Sequence, residues 1–217
     1  MGSMVFLKQL EVGSNQNFTY ILACKRTGEG AIVDPGWEVN KILNIAKNGG
    51  IKIKNIILTH THSDHIEGVF QVVETTGAKI YVHKNESHAM KGSGSYFVTE
   101  VQDGQMFNTG KESLKVIHTP GHTPGGICLY TPEKVLTGDT LFVGYCGRAD
   151  FTESDPKALY NSLQKLAALP DDTVVYPGHN YGKTPTSTIG YEKANNPYYQ
   201  CGSLKEFIEL RMHGHVD

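Results

Sequence analysis

Apolar and polar positions alternate along this chain with two different periods, and the places where the period changes mark out its elements. Residues 5–12, 17–24 and 31–34 are apolar, β-branched-rich runs separated by Gly13-Ser14-Asn15 and by Arg26 to Gly30, and they predict three short strands in a meander. From 37 to 48 the spacing becomes helical: Val39, Ile42, Leu43 and Ala46 share one face, and Gly49-Gly50 ends the run. Residues 51–58 predict the next strand, 67–76 a helix stopped by Gly77, 79–83 a further strand, and 85–90 a short helix. Lys91-Gly92-Ser93-Gly94-Ser95 reads as a mobile loop near the site, since its Gly-x-Gly alone is too weak a pattern for a phosphate loop.

In the second half, residues 114–118 predict a strand, and 127–130 with 134–137 a hairpin around Thr131-Pro132-Glu133. Ala158, Leu159, Leu163, Leu166 and Ala167 form a helical stripe over 155–168, opened by Ser154 or Asp155 as N-cap and by Pro156 in the first turn. A core-facing helix explains that stripe without a ligand. Residues 173–176 predict one more strand and 203–212 a last helix. Strand runs followed by helices, twice over, imply an α+β layered architecture. The expectation is one domain over 4–217, with Met1-Gly2-Ser3 a cloning remnant ahead of Met4.

Composition narrows the function classes. With 217 residues, 39% hydrophobic and 19% charged, the chain is an ordinary globular one with enough apolar mass for a sizeable core. A formal charge of −2 without a Lys or Arg run argues against a nucleic-acid or anionic-membrane surface. No stretch approaches the ~18 apolar residues of a membrane span. Cys24, Cys128, Cys146 and Cys201 are scattered without Cys-x-x-Cys spacing, so neither a disulfide framework nor a zinc ribbon is expected, and a reducing cytoplasm is the default location.

The chemistry concentrates in Thr59-His60-Thr61-His62-Ser63-Asp64-His65, directly after the apolar run Ile56-Ile57-Leu58. Imidazole nitrogen and carboxylate oxygen hold borderline-soft divalent metals, and four such donors lie between His60 and His65. In an extended segment His60 and His62 point to one side; a turn through Ser63 brings Asp64 and His65 to a neighbouring point, a geometry that suits two ions in one pocket. Four donors cannot close two coordination spheres. Three further candidates stand beside Gly or Pro after short apolar runs: His122 in Thr119-Pro120-Gly121-His122, Asp139 in Leu136-Thr137-Gly138-Asp139, and His179 in Tyr176-Pro177-Gly178-His179. Each of these alone is as readily a solvated residue; the ordered set is what points to metal. His83, His88, His118, His213 and His215 lack such spacing and read as structural or exposed.

With all seven positions filled in order, the chain from about Phe18 to Pro197 resembles the metallo-β-lactamase superfamily, whose pattern is HxHxDH followed by a single His, Asp and His. The resemblance implies an αββα sandwich, two mixed sheets face to face with helices outside and a metal site along one edge. It also implies that His60, His62 and His122 hold one ion, that Asp64, His65 and His179 hold a second, and that Asp139 bridges both. A carboxylate suits the bridge because its two oxygens can reach two cations, and aspartate there points to the glyoxalase II and lactonase branches rather than to antibiotic hydrolysis. Asp64 and Asp139 are the residues placed in catalysis.

Two functions follow from the resemblance. Two metals sharing a water lower its pKa and supply the nucleophile, while one polarises the carbonyl, so the first reading is a glyoxalase II-like hydrolase of a hydroxyacyl-glutathione or similar acyl-thiol. The segment Gly144-Tyr145-Cys146-Gly147-Arg148-Ala149-Asp150-Phe151 is similar to one in the persulfide dioxygenases, where a single Fe(II) is held by a facial triad; the matching residues are His60, His122 and Asp139. Thr188 to Pro197 looks instead like the small glyoxalase II-like proteins of bacteria. Zinc, iron and manganese are all accepted by imidazole, with two zinc ions the leading expectation. Arg148 is the candidate for a substrate carboxylate, against a structural ion pair with Asp150. Tyr145 and Tyr181 are candidates to line the pocket. Cys146 has no base beside it and reads as structural. A metal-binding module without turnover is the third reading, and whether the chain forms a homo-oligomer is left open.

Overall fold

The computed structural model describes residues 5–90 and 97–213; the expected loop at 91–95 lies outside them, as do residues 1–3. β1 (Val5–Val12) pairs antiparallel with β2 (Asn17–Cys24), and β2 with β3 (Glu29–Val33), which is the predicted meander. β4 (Lys52–Ile57), β5 (Lys79–His83) and β6 (Val98–Val101) then extend the sheet in parallel, giving the order β1-β2-β3-β4-β5-β6. Parallel neighbours need a crossover, and α1 (Val39–Asn48) and α3 (Val69–Thr76) provide two of them. Between β4 and α3 the chain makes one short helix, α2 (Ser63–Ile66), where the sequence suggested only a turn.

The second sheet has the order β12-β11-β10-β9-β8-β7. β7 (Met106–Thr109), β8 (Glu112–His118), β9 (Ile127–Thr131) and β10 (Lys134–Gly138) form an antiparallel run. α4 (Pro156–Ala167) crosses over to β11 (Val174–Pro177), which lies parallel to β10, and β12 (Ser187–Thr188) closes the edge. The Asp155 carboxylate accepts from the amides of Lys157 and Ala158, so Asp155 rather than Ser154 is the cap. α5 (Ile189–Asn195) and α6 (Leu204–His213) complete the chain. The helix expected at 85–90 is only a 3-10 turn, Ser87–Ala89, because the Glu86 side chain is drawn inward to the Gly125 amide and the Thr61 hydroxyl.

The period of two along the strands sorts side chains between layers. On β2, Phe18, Tyr20 and Leu22 enter the space between the sheets with Leu114, Val116, Leu129 and Leu136, while Ile21 faces α1 and α3 with Ile42, Val69 and Val72. The outer face of the second sheet buries Cys128, Val135 and Val175 under Leu159, Leu163 and Phe207. The result is the expected αββα sandwich. No helix among the described residues is long and apolar enough to cross a membrane.

Candidate metal centre

Five strands end at one edge of the sandwich, and each delivers a charged or imidazole side chain there. β3 gives Asp34, β4 His60 and His62, β8 the loop with His122, β10 Asp139 and β11 His179. Backbone bonds join the sheets at this edge: the Ile127 amide donates to the Thr59 carbonyl at 2.8 Å and the Phe18 amide to the Gly178 carbonyl at 2.7 Å. Gly178 and Gly36 are among the positions there that must be glycine. A Cβ on Gly178 would lie 2.2 Å from Asp139 Oδ1, and one on Gly36 would lie 1.8 Å from the Asp64 carbonyl oxygen.

All seven predicted donors converge at this edge, His60, His62 and His122 in one group and Asp64, His65 and His179 in another. His62 Nδ1 lies 3.1 Å from His60 Nε2 and 3.0 Å from His122 Nε2. His65 Nε2 and His179 Nε2 are 3.2 Å apart, with Asp64 Oδ2 at 3.9 and 3.6 Å from them. Asp139 stands between: its Oδ2 is 3.5 Å from His122 Nε2, 4.0 Å from His60 Nε2 and 3.3 Å from His179 Nε2, while Oδ1 is 3.5 Å from His65 Nε2.

What lies behind the imidazoles decides which nitrogen faces inward. Asp34 accepts from the Thr59 amide at 2.8 Å and the Thr59 hydroxyl at 2.6 Å, and stands 3.1 Å from His65 Nδ1. The Thr59 hydroxyl, its proton committed to Asp34, is left to accept from His60 Nδ1 at 3.2 Å. His122 Nδ1 meets the Arg148 carbonyl at 2.8 Å and His179 Nδ1 the Asn15 carbonyl at 2.9 Å. Four imidazoles therefore carry their proton on Nδ1 and turn an Nε2 lone pair inward. His62 is reversed, presenting Nδ1 with its Nε2 3.6 Å from Glu153 Oε1. Asn17 donates to Asp64 Oδ2 at 2.9 Å and holds that carboxylate in place.

Such an arrangement of lone pairs is unfavourable unless something positive sits among them. Asp139 Oδ1 is buried and has no hydrogen-bond partner among the described residues, a cost of about 1–3 kcal/mol for a neutral acceptor and more for a charged one. Burial, then His65, pushes the His60 imidazole well below its ordinary range. Burial also opposes charge on His65, but Asp139, Asp34 and Asp64 outweigh it and raise that imidazole to about 9. Burial raises and His65 most strongly lowers the Asp139 carboxyl, which ends well below the carboxylate range. Three groups of these donors lie close enough to hold an ion, His60 with His62 and His122, Asp64 with His65 and His179, and Asp34 with His60 and His65, and their imidazole and carboxylate chemistry fits divalent cations of the zinc or iron kind.

The substrate candidates stand around this centre in different states. Tyr181 stacks on His179 with ring centroids 4.6 Å apart and meets Phe142 edge-on, and with Tyr145 it lines a cavity beside the centre. The Arg148 guanidinium is engaged by Asp150 in two bonds of 2.9 and 2.8 Å and lies over the Phe151 ring, which in turn meets His62 and His122 edge-on. Cys146 is buried, and burial pushes its thiol to about 12, in keeping with the structural reading. His83 and His118 stack on each other with ring centroids 4.1 Å apart. The residues that sequence reasoning missed are the supports: Asp34, Thr59, Asn17 and Glu86. Only Asp34 carried a signal, a charged residue closing an apolar strand and followed by Pro-Gly.

A family model described as the metallo-beta-lactamase superfamily matches residues 12–179. The chain belongs to that superfamily. It is 31% identical over 196 residues, covering 90% of this chain and 87% of the relative, to the probable polyketide biosynthesis zinc-dependent hydrolase BaeB of Bacillus velezensis. It is 38% identical over 182 residues to the probable hydroxyacylglutathione hydrolase glo2 of Schizosaccharomyces pombe, covering 79% and 67% of the two chains. Human mitochondrial persulfide dioxygenase ETHE1 is 30% identical over 213 residues, at 96% and 81% coverage. Among solved structures, ETHE1 from Myxococcus xanthus superposes with a TM-score of 0.87 at 30% identity, covering 98% and 92%. TTHA1623 in a di-iron-bound form gives 0.78 at 32% identity, covering 88% and 99%. Members of this superfamily with hydrolase and with dioxygenase names are thus about equally similar to this chain.

Proposed function

We propose that the chain is a dinuclear metallo-hydrolase that cleaves an acyl-thioester, of the hydroxyacylglutathione hydrolase type. The observation that carries this reading is the completeness of the second donor set: the ligand atoms of Asp64, His65 and His179 lie within 4.8 Å of one another, as do those of His60, His62 and His122, and Asp139 lies between the two. His60, His62 and His122 would hold one ion, Asp64, His65 and His179 the other, and Asp139 both. When bound, two divalent cations lower the pKa of a shared water and polarise the thioester carbonyl. Zinc leads, with iron or manganese suited to the same donors; the zinc-dependent name of one relative and the di-iron form of another accord with that range.

The chain's own residues do the rest. The Nδ1 contacts keep four imidazoles turned with Nε2 inward, so a cation has only to displace the Nε2 proton that the surrounding carboxylates hold on His65 in its absence. Asp64 lies at the solvent side of the centre, with Oδ2 fixed by Asn17, and is placed to take up the proton that water gives up. A C–O bond forms, the C–S bond breaks, and the products are a carboxylic acid and a thiol; a thiolate leaves readily and needs little general-acid help. Tyr145 and Tyr181 line the way in. An exposed pair such as Arg148 with Asp150 contributes only about 0–1 kcal/mol, so a substrate carboxylate can take Asp150's place on the guanidinium fork. A reducing, cytoplasmic setting suits the four free cysteines.

The second reading is a mononuclear-iron persulfide dioxygenase using His60, His122 and Asp139. It is favoured by the 144–151 segment, whose Phe151 packs against His62 and His122, and by the extent of the match to human persulfide dioxygenase. The two readings separate on one preparation given zinc or ferrous iron. Lactoyl-glutathione cleavage is followed at the thioester absorbance and oxygen uptake is followed on glutathione persulfide. Thioester cleavage without oxygen uptake is expected; rapid oxygen uptake by the iron form, with no thioester cleavage by either, overturns the hydrolase.

A further inference from the structure

The two donor sets are held by different supports. Behind the second set stand Asn17 on Asp64, the Asn15 carbonyl on His179 and Asp34 at His65. The first set draws its imidazoles from both sheets, His60 and His62 from the end of β4 and His122 from the loop after β8. One side chain reaches both segments. Glu86, 4% exposed in the turn after β5, accepts through Oε2 from the hydroxyl of Thr61, the residue between His60 and His62, and through Oε1 from the Gly125 amide at 2.9 Å.

The bond at Gly125 carries through to His122 because the loop between them is closed on itself. The Thr119 amide donates to the Gly126 carbonyl at 2.8 Å and the Gly121 amide to the Thr123 carbonyl at 3.0 Å, so residues 119–126 form one piece. The neighbours of Glu86 grip the same loop. Asn85 Nδ2 donates to the Pro124 carbonyl at 3.1 Å, His118 Nε2 meets that carbonyl at 3.0 Å, and His83 stacks on His118. The contact is close enough that a Cβ on Gly125 would lie 2.3 Å from Glu86 Cγ. A carboxylate is unfavourable to bury unless its oxygens are bonded, and a short 3-10 turn needs none. The two oxygens of Glu86 go to the two chain segments that carry His60, His62 and His122.

Resting on the dinuclear part of the thioester-hydrolase reading, we propose that Glu86 is a positioning residue for one ion only: by joining Thr61 to Gly125 it sets His60 and His62 against His122, and it leaves the Asp64, His65 and His179 set alone. Asp34, which meets His65 directly and His60 through the Thr59 hydroxyl, acts on both sets. What Glu86 supplies is geometry rather than charge. A glutamine in its place can accept from the Gly125 amide with its oxygen and donate its NH2 to the Thr61 hydroxyl, which is free to turn round and accept.

The test reads zinc affinity by chelator competition, one site at a time. An Asp64→Ala background keeps His60, His62 and His122 together, and a His62→Ala background keeps Asp64, His65 and His179. Thr61→Val preserves the shape of a half-buried residue and removes the hydroxyl that meets Glu86. It should lower zinc affinity about tenfold or more in the first background and by less than about twofold in the second. Glu86→Ala should show the same split, and Glu86→Gln should recover most of the loss. If Glu86→Ala does not fold, Thr61→Val and Glu86→Gln carry the test. Equal losses in the two backgrounds, the mark of a general loosening of the fold, overturn the assignment, as does no loss in either. Glu86→Gln as weak as Thr61→Val or Glu86→Ala overturns the geometric role in favour of charge. The ion count of the otherwise unchanged protein separates this outcome from the dinuclear reading. A single zinc per chain removes that reading, and Thr61→Val is then read on that one ion: a loss of about tenfold upholds the role of Glu86, and unchanged affinity overturns it.

Discussion

Replacing Asp34 by asparagine keeps the size and removes the charge beneath the centre. The carboxylate meets three groups, with Oδ1 taking the Thr59 amide and Oδ2 taking the Thr59 hydroxyl and His65 Nδ1. An amide has one acceptor oxygen. If that oxygen keeps the Oδ2 place, the new NH2 opposes the Thr59 amide and one charge-assisted bond is lost, about 1.5–3 kcal/mol. If it keeps the Oδ1 place, the NH2 faces His65 Nδ1 and the Thr59 hydroxyl, and both His65 and His60 are driven to the tautomer that points a proton inward. Either way metal affinity falls, by about 10–100-fold for supports of this kind. Asp34 has φ of 50°, a left-handed conformation that asparagine tolerates, so the backbone is not the cause; Asp34→Ala would add about 1–2 kcal/mol of backbone strain. The assay is zinc affinity by chelator competition, with thermal unfolding of stripped protein, where a drop of about 3–12 °C is expected. Asp34→Asn with zinc affinity within about twofold of the parent would refute the reasoning that Asp34 sets the tautomers.

Three further outcomes follow from the geometry. Asp139→Ala removes the carboxylate that stands between the two donor sets, so thioester cleavage should fall more than about 100-fold with fewer metal ions retained per chain; unchanged turnover would instead indicate a module without catalysis. Gly178→Ala places a methyl 2.2 Å from Asp139 Oδ1 and 3.0 Å from the Gly138 carbonyl carbon, and should cost about 1–3 kcal/mol in urea unfolding while lowering activity more than stability. Burial first, then His118 and Lys84, hold His83 at about 4 against an unfolded value of 6.5. The unfolded chain therefore takes up a proton between those pH values that the folded chain refuses, and stability falls as pH drops through that window. His83→Gln should lose less stability than the parent between pH 7 and 4.5, measured by urea midpoints on metal-stripped protein; equal losses would show that His83 does not contribute to the acid limb.

The centre was legible because its donors announce themselves singly, each at the end of an apolar run and beside a Gly or Pro, and the strands that carry them end on one edge. The N-terminal meander was legible because β2 and β3 are apolar, almost wholly buried runs and β1 alternates between exposed and buried positions. β6 and β7 were not. Val98-Thr99-Glu100-Val101 and Met106-Phe107-Asn108-Thr109 have four residues and two apolar positions each, too few to show a period, and both strands lie at the sheet margins. α2 and α5, of four and seven residues, are too short for a helical stripe. Asp34 was read as the end of a strand; its role arises from a left-handed turn that sets it under residues 25 and 31 positions away. For Arg148 both readings were open in sequence, and the structure shows the fork on Asp150, two residues on. The periodicity gave apolar faces, but which sheet each face packs on came from the family resemblance and then from the structure.

The central claim is that both donor sets hold metal. Elemental analysis of protein purified without added metal, reported as ions per chain for the parent and for Asp64→Ala, tests it most directly. Close to two divalent ions in the parent and close to one in the variant is the predicted result. Close to one iron in both would contradict it and leave His60, His122 and Asp139 as the whole of the working site.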